Sequence, residues 1–264
     1  MKNYRNVAGV VLMSILTMTS CSKNEDDDMP KEGEAYNTTF KITDAPVDNA
    51  NVEAVFVTIS DVKVDGTSLE GFSKTTVELS ALVDGKTETL GNLDLQAGSY
   101  SNIELELDYA TDAVGDAPGC YVETANGEKD KIEASANKIS IKDVVEVFAS
   151  ASNEVVIDFD LRKTIKEEQG TASSDFEFVS MSEFSAGIRA LNEESTGMIS
   201  GTADDTDDTS DKIVVYAYEK GSFDAETETK GKGESNITFA NAITSSTVTS
   251  ANGSYSLNWS QKLV

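Results

Sequence analysis

The sequence predicts an all-β protein: an antiparallel β-sandwich with one short helix, followed by a second small β-sandwich unit whose completeness is open. Three observations carry this. Short runs alternate apolar and polar residues with a period of two, which buries one face of a strand and wets the other. Those runs are rich in β-branched residues, which suit a pleated surface. Turn residues separate them at the spacing of sandwich strands.

In chain order, the first strands are Thr38–Thr43 (TTFKIT), Ala54–Val64 (AVFVTISDVKV), Thr75–Leu82 (TTVELSAL) and Ser101–Tyr109 (SNIELELDY). Asn137–Val144, Asn153–Leu161 (NEVVIDFDL), Phe176–Met181 and Phe184–Leu191 (FSAGIRAL) follow in the same style. Between them, Asp160–Gly170 (DLRKTIKEEQG) has good helix formers, Leu161 and Ile165 four apart, and a stopping glycine, so a short helix is expected there. Asn192–Ser195 (NEES) reads as a linker. The second unit, 196–264, would hold strands at Gly197–Ala203, Lys212–Glu219, Ala242–Ser250 and Gly253–Trp259. A unit of that size folds alone only marginally.

The N-terminus has a different character. Lys2 and Arg5 precede the apolar run Val7–Met18, too short to span a bilayer as a helix, and small residues follow. Residues 1–20 thus read as a signal peptide for export. Thr19 and Ser20 lead straight into Cys21, and this resembles a bacterial lipobox, in which the cysteine is acylated and begins the mature chain. The resemblance implies that Cys21 is a lipid attachment site, anchoring the protein to a membrane through its acyl chains. Residues 21–36 form an acidic tether expected to be disordered. Within it, Glu25 to Asp28 after Lys23 resemble the signal that exports lipoproteins of Bacteroidota to the outer face of the outer membrane. An outer-membrane location facing the cell surface is the expectation, with a periplasm-facing lipoprotein as the alternative.

Charge excludes a class of partners. The chain holds 21 basic and 47 acidic residues; the first 20 residues take two of the basic ones and no acid, so the mature part carries 19 against 47, a charge of −28. Such a surface repels phosphate backbones, so no nucleic-acid partner is expected. With Cys21 acylated, Cys120 has no disulfide partner in the chain. No histidine is present to activate it, so Cys120 is expected to be a small buried side chain.

The stretch "FKITDAPVDNANVEAVFVTISDVKVDG" (Phe40 to Gly66), then "VELSALVDGKTETLGNLDLQAGSYSNIELEL" and "VVIDFDLRKTI", resembles a family of bacterial lipoprotein domains of unknown function. Members open with a strand and an L-T-D-A-P turn, carry a leucine-rich segment before L-x-A-G-x-Y, and end in a D-F-D strand. Ile42 stands here for the usual leucine. The likeness spans about residues 38 to 191 and implies a β-sandwich domain over 37–191 and an anchor, without implying chemistry. The stretch "STVTSANGSYSLNW" resembles transthyretin-like and carboxypeptidase-regulatory-like modules. A further strand of those modules would lie beyond residue 264, so the unit is truncated or of another kind.

Turn chemistry accounts for the motifs themselves. Asp44 is expected to accept a backbone hydrogen bond in an Asx turn, Pro46 to end the ladder, and Gly98 to supply a positive φ. A ligand role for Asp44 and Asp48 is the lesser reading. Asp204, Asp205, Asp207, Asp208 and Asp211 crowd one loop, but their spacing lacks the glycine and closing glutamate of an EF-hand, so a solvated acidic loop is expected rather than a calcium site. Lack of histidine removes Ser-His-Asp triads, Cys-His pairs and His-bearing zinc sites. No catalytic, cofactor-binding or metal-ligating residue is therefore assigned. The expected function is a non-catalytic binding or adhesion module for a glycan or an envelope protein. The alternatives are an assembly component working through strand pairing and, remotely, a glycoside hydrolase using two carboxylates.

Overall fold

A computed structural model describes residues 33–261 except 48, 50, 151, 168–175, 208, 210–211 and 249–252. The chain opens with β1 (Ala35–Thr43), the long β2 (Val52–Val64), β3 (Thr67–Ser68) and β4 (Thr75–Glu78). Next come β5 (Glu88–Gln96), β6 (Gly98–Tyr100), β7 (Ile103–Leu107), β8 (Tyr121–Thr124) and β9 (Lys129–Lys131). Then follow β10 (Lys138–Ile141), β11 (Val145–Val147), β12 (Asn153–Phe159), α1 (Leu161–Thr164), β13 (Ile165–Glu167) and β14 (Phe176–Phe178). The chain continues with α2 (Met181–Ala186), β15 (Ile188–Asn192), β16 (Thr196–Thr202), β17 (Val214–Ala217), α3 (Ala225–Glu228), β18 (Thr244–Thr247) and β19 (Ser254–Gln261).

These strands make the expected all-β, sandwich-like fold. One sheet runs β15-β12-β1-β5. The other curls around β2, whose thirteen residues are long enough to serve two strands on each edge. Phe56 pairs with both β4 and β8, and Val64 with both β3 and β7, so β3 and β4 share one edge and β7 and β8 the other. β9 and β10 extend the second edge. A single core joins the sheets, with Phe40, Ile42, Ile157 and Phe159 meeting Val57, Ile59, Leu105 and Leu107 at full or nearly full burial.

Among the described residues, pairing is antiparallel with one exception: β1 and β12 run parallel, from Thr38 opposite Asn153 to Thr43 opposite Asp158. β12 lies between β1 and β15, and six of its seven residues are buried, the run expected of a strand covered on both faces. β5 hides its pattern for a different reason. Its buried residues are Leu90, Leu93 and Leu95, because a register shift opposite Phe40 and Lys41 sets Leu90 out of the two-residue phase.

Two expected elements are corrected. The helix expected over 160–170 is a single turn, α1, after which Ile165–Glu167 enters a hairpin with β14. Leu161 and Ile165 are both buried, but Ile165 is buried as a strand residue opposite Phe178, and tertiary pairing overrides a weak helix preference. The strand expected at Phe184–Leu191 begins only at Ile188, since Phe184 lies within helix α2, which runs on to Ala186. The signals for α2 are in the sequence: Ser180 and Glu183 at capping-box spacing, bonded to each other at 2.9 Å, and Gly187 just past its end. Gly187 is also required by close approach, because a Cβ there would lie 2.6 Å from the Thr164 methyl.

The 192–195 segment is a 3₁₀ turn, Glu193–Ser195, leading from β15 into β16. Chain on both sides of it belongs to one compact unit spanning 32–264. Past the turn, β16 pairs with β19 and β17 with β18, as two antiparallel ribbons.

Candidate functional site

The parallel pair decides where polar residues gather. With Thr43 opposite Asp158, the residues that leave the two strands at their carboxyl ends, Asp44 and Asp160, emerge side by side. Thr43 is fully buried and donates its hydroxyl to the Leu82 and Lys86 carbonyls, closing β1 onto the 82–86 loop. Asp44 makes no Asx turn onto residue 46, because Pro46 has no N–H to donate. Its Oδ1 instead accepts the Leu161 amide at 3.0 Å, 117 residues away, and so caps α1 from the neighbouring strand.

The rest of the D-F-D-L-R stretch forms buried ion pairs. Asp158 Oδ2 accepts both Nε and Nη2 of Arg189, at 2.8 and 2.6 Å. Asp160 Oδ2 accepts Arg162 Nη2 at 2.8 Å and lies 3.4 Å from Lys163 Nζ. Asp44 Oδ2, Asp158 Oδ1, Asp160 Oδ1 and Arg162 Nε remain buried without a hydrogen-bond partner. Burial pushes the Asp44 carboxyl well above the usual carboxylate range; the Asp160 and Asp158 charges add to this and the Leu161 amide opposes it. Burial also lowers the proton affinity of Lys163, against the pull of Asp160.

Arg162 and Lys163 reach across to the C-terminal part of the chain. The Arg162 side chain is 2 % exposed. Its Nη1 donates to the carbonyls of Phe239 at 2.7 Å and Thr238 at 3.4 Å, and its guanidinium lies 5.2 Å from the centre of the Tyr216 ring, which itself stacks on Phe239. Lys163 Nζ donates to the Ala242 carbonyl at 2.6 Å. Glu183 accepts the Ser235 hydroxyl at 2.6 Å.

Where the 234–238 stretch approaches the β13–β14 hairpin, a groove of about 610 Å³ opens. Its polar lining includes Asn49, Lys166, Glu177, Glu234 and Asn236, with Ile165 and Ile237 as apolar floor. Asn49 and Asn51 both donate to the Glu167 carboxylate, at 2.9 and 3.0 Å, and Lys166 pairs with Glu177 at 2.7 Å. A second cleft, of about 370 Å³, lies between Val47, Val52 and Val83 on one side and Thr247 and Val248 on the other. Asp44 lines neither.

Cys21, Glu25 to Asp28, Asp48, Asp208 and Asp211 lie outside the described residues. Cys120 is fully buried, its sulfur accepting the Thr58 amide at 3.4 Å, and burial raises the thiol to about 12. It is a packed core side chain, as expected. In the 203–211 loop, Asp205 accepts the amides of Asp207 and Thr209 within its own loop. Among the described residues, no three acids or cysteines are arranged to hold a metal ion. Gly98 marks the break between β5 and β6, with φ at 155°.

Residues 37–178 match the family described as Domain of unknown function (DUF4382). The chain belongs to the DUF4382 family. No curated protein and no solved structure matches it significantly. The DUF4382 match runs from within β1 through β14, and holds Asp44, Asp158, Asp160 and Arg162. Arg189 and the 216–242 contacts lie beyond it. The buried pairs therefore tie the DUF4382 domain to chain outside the family match. Sequence reasoning singled out Asp44 but missed Arg162 and Arg189. The usable signal was charge of both signs inside runs that otherwise read as buried strand, VVIDFDLRK and GIRAL.

Proposed function

We propose that the protein is a non-catalytic binding lipoprotein of the bacterial envelope, acylated at Cys21 and facing the cell surface, with its ligand seated in the groove between the β13–β14 hairpin and residues 234–238. The observation that carries the binding role is the groove itself, an open cleft with amide, hydroxyl and charged groups around two isoleucines. Among the described residues, the lining holds no aromatic ring on which a sugar could stack, and Glu167, Glu177 and Glu234 outnumber the basic Arg162 and Lys166. A protein segment with polar or basic side chains fits that chemistry better than a neutral glycan. Asp44, the carboxyl that burial displaces well upward, accepts the Leu161 amide and does not line the groove, which favours a binding role over catalysis by that carboxyl. The lipobox resemblance supports the anchor, and the two antiparallel ribbons support reading 196–264 as a small β-unit of transthyretin-like kind.

Capture from envelope extracts tests the binding role. Wild-type chain is expected to retain a protein ligand that the double variant Glu177→Lys/Glu234→Lys releases; retention by both, or by neither, refutes it, and a glycan-array signal lost in the variant transfers the role to a sugar. For the anchor, palmitate labelling and protease shaving of intact cells are expected to mark the wild type and to fail for Cys21→Ala. A wild type protected until the outer membrane is broken puts the protein in the periplasm.

A further inference from the structure

Strand β16 presents an edge that the ligand groove does not use. Among the described residues it pairs with β19 alone, so its other edge carries no strand. Two large apolar side chains on it are exposed, Met198 at 63 % and Ile199 at 48 %. Edge strands of soluble proteins are commonly blunted by lysine, proline or a bulge. β16 has neither residue, and the irregularity in its ladder belongs to its partner. Between the pairs Gly197–Ser260 and Ile199–Leu257, β19 places two residues, 258 and 259, against Met198 alone. β19 therefore takes the bulge and β16 stays regular.

The sequence of this edge says what fits it. Thr196-Gly197-Met198-Ile199-Ser200-Gly201-Thr202 reads nearly the same in both directions about Ile199. An antiparallel two-fold through that residue sets Thr196 against Thr202, Gly197 against Gly201, Met198 against Ser200, and Ile199 against itself. Such self-complementarity is what an isologous contact requires. Charge points the same way. In a chain of net charge −26, these seven residues carry none, whereas an acid here would oppose its own image or a like-charged neighbour.

We propose that the outer edge of β16 pairs with the same edge of a second copy of this chain, giving a two-fold dimer centred on Ile199. Pairing two seven-residue strands buries less than the roughly 1,200 Å² of a stable standard interface, so the dimer is weak in solution. Anchoring copies to one membrane would raise their effective concentration. The rest of the surface repels its copy, so added salt strengthens the dimer by screening, the reverse of what salt does to an interface held by ion pairs.

Sedimentation of the full chain carrying Cys21→Ser, from about 5 to about 500 µM, tests this. A monomer–dimer equilibrium that shifts toward dimer in higher salt is expected. Ile199→Lys and Ile199→Glu are each expected to weaken it at least tenfold, and their equimolar mixture to restore a dimer, because position 199 faces itself. Ile199→Cys, oxidised, is expected to give a covalent dimer, while buried Cys120 does not react; this arm stands even if a charged variant misfolds. A monomer at the highest concentration, a dimer indifferent to both charges, or a dimer that Ile199→Cys fails to cross-link overturns the proposal.

Discussion

Replacing Arg162 by Met keeps most of the side-chain volume and removes one guanidinium that serves both parts of the chain. It takes the 2.8 Å bond from Asp160 and the bonds at 2.7 and 3.4 Å from the carbonyls of Phe239 and Thr238. Removing one partner of a buried ion pair costs about 3–5 kcal/mol, because the other charge stays buried and unpaired. Here Lys163 remains 3.4 Å from the same Asp160 oxygen, so the expected loss sits at the low end, about 3 kcal/mol. Arg162→Lys keeps the charge but lacks the planar fork that reaches a carboxylate and a carbonyl together, so about half of that loss is expected. Urea unfolding followed by circular dichroism reads the global effect. Hydrogen exchange reads the local one: amides of the 225–247 stretch, including Phe239 and Ala242, should lose protection before those of β1 and β12. An unchanged urea midpoint, or lost stability with 225–247 still protected, would refute the view that Arg162 clamps this stretch to the sandwich.

Two further outcomes follow from the same core. The Asp44 proton is held more tightly in the folded chain than in the unfolded one, whose carboxyl titrates near its ordinary value of about 3.9. The stabilisation this gives is complete below that value and is lost as pH rises toward the folded value. Asp44→Asn keeps an acceptor for the Leu161 amide and cannot ionise, so it should match the wild type near pH 4 and exceed its stability at pH 7; a variant less stable at pH 7 than at pH 4, relative to wild type, would show that the ionised carboxylate is needed. Cys120, with its thiol raised to about 12, should resist a thiol reagent at pH 8 in the folded Cys21→Ser chain and react at the rate of unfolding, whereas fast labelling would place it at an accessible surface.

The strands of the sandwich were legible because burial on one face writes a two-residue period into strands such as β7 and β10. Where that period breaks, the sequence was misread. Leu90 is put out of phase by a register shift whose partner, β1, lies some fifty residues earlier, and nothing local to "ETLGNLDLQ" announces it. Ile165 sits four residues from Leu161 whether the chain is helix or hairpin, and only Phe176 and Phe178 across the ladder decide for the hairpin. For α2 the local signals were present in Ser180, Glu183 and Gly187, and the apolar pattern of the following strand masked them.

By itself, then, the sequence determined the β character of the chain and the family likeness carried by T-D-A-P and D-F-D, because each rests on residues close together in the chain, and the composition, without histidine, pointed to Cys120 as a packed side chain. Only the tertiary structure decided that β1 and β12 run parallel, that Asp44 therefore caps a helix 117 residues away, and that Arg162 and Arg189 neutralise the acids beside it. Side-chain charges can be read from a sequence. Their pairing inside a protein depends on which strands become neighbours, and that is settled by burying the whole core at once.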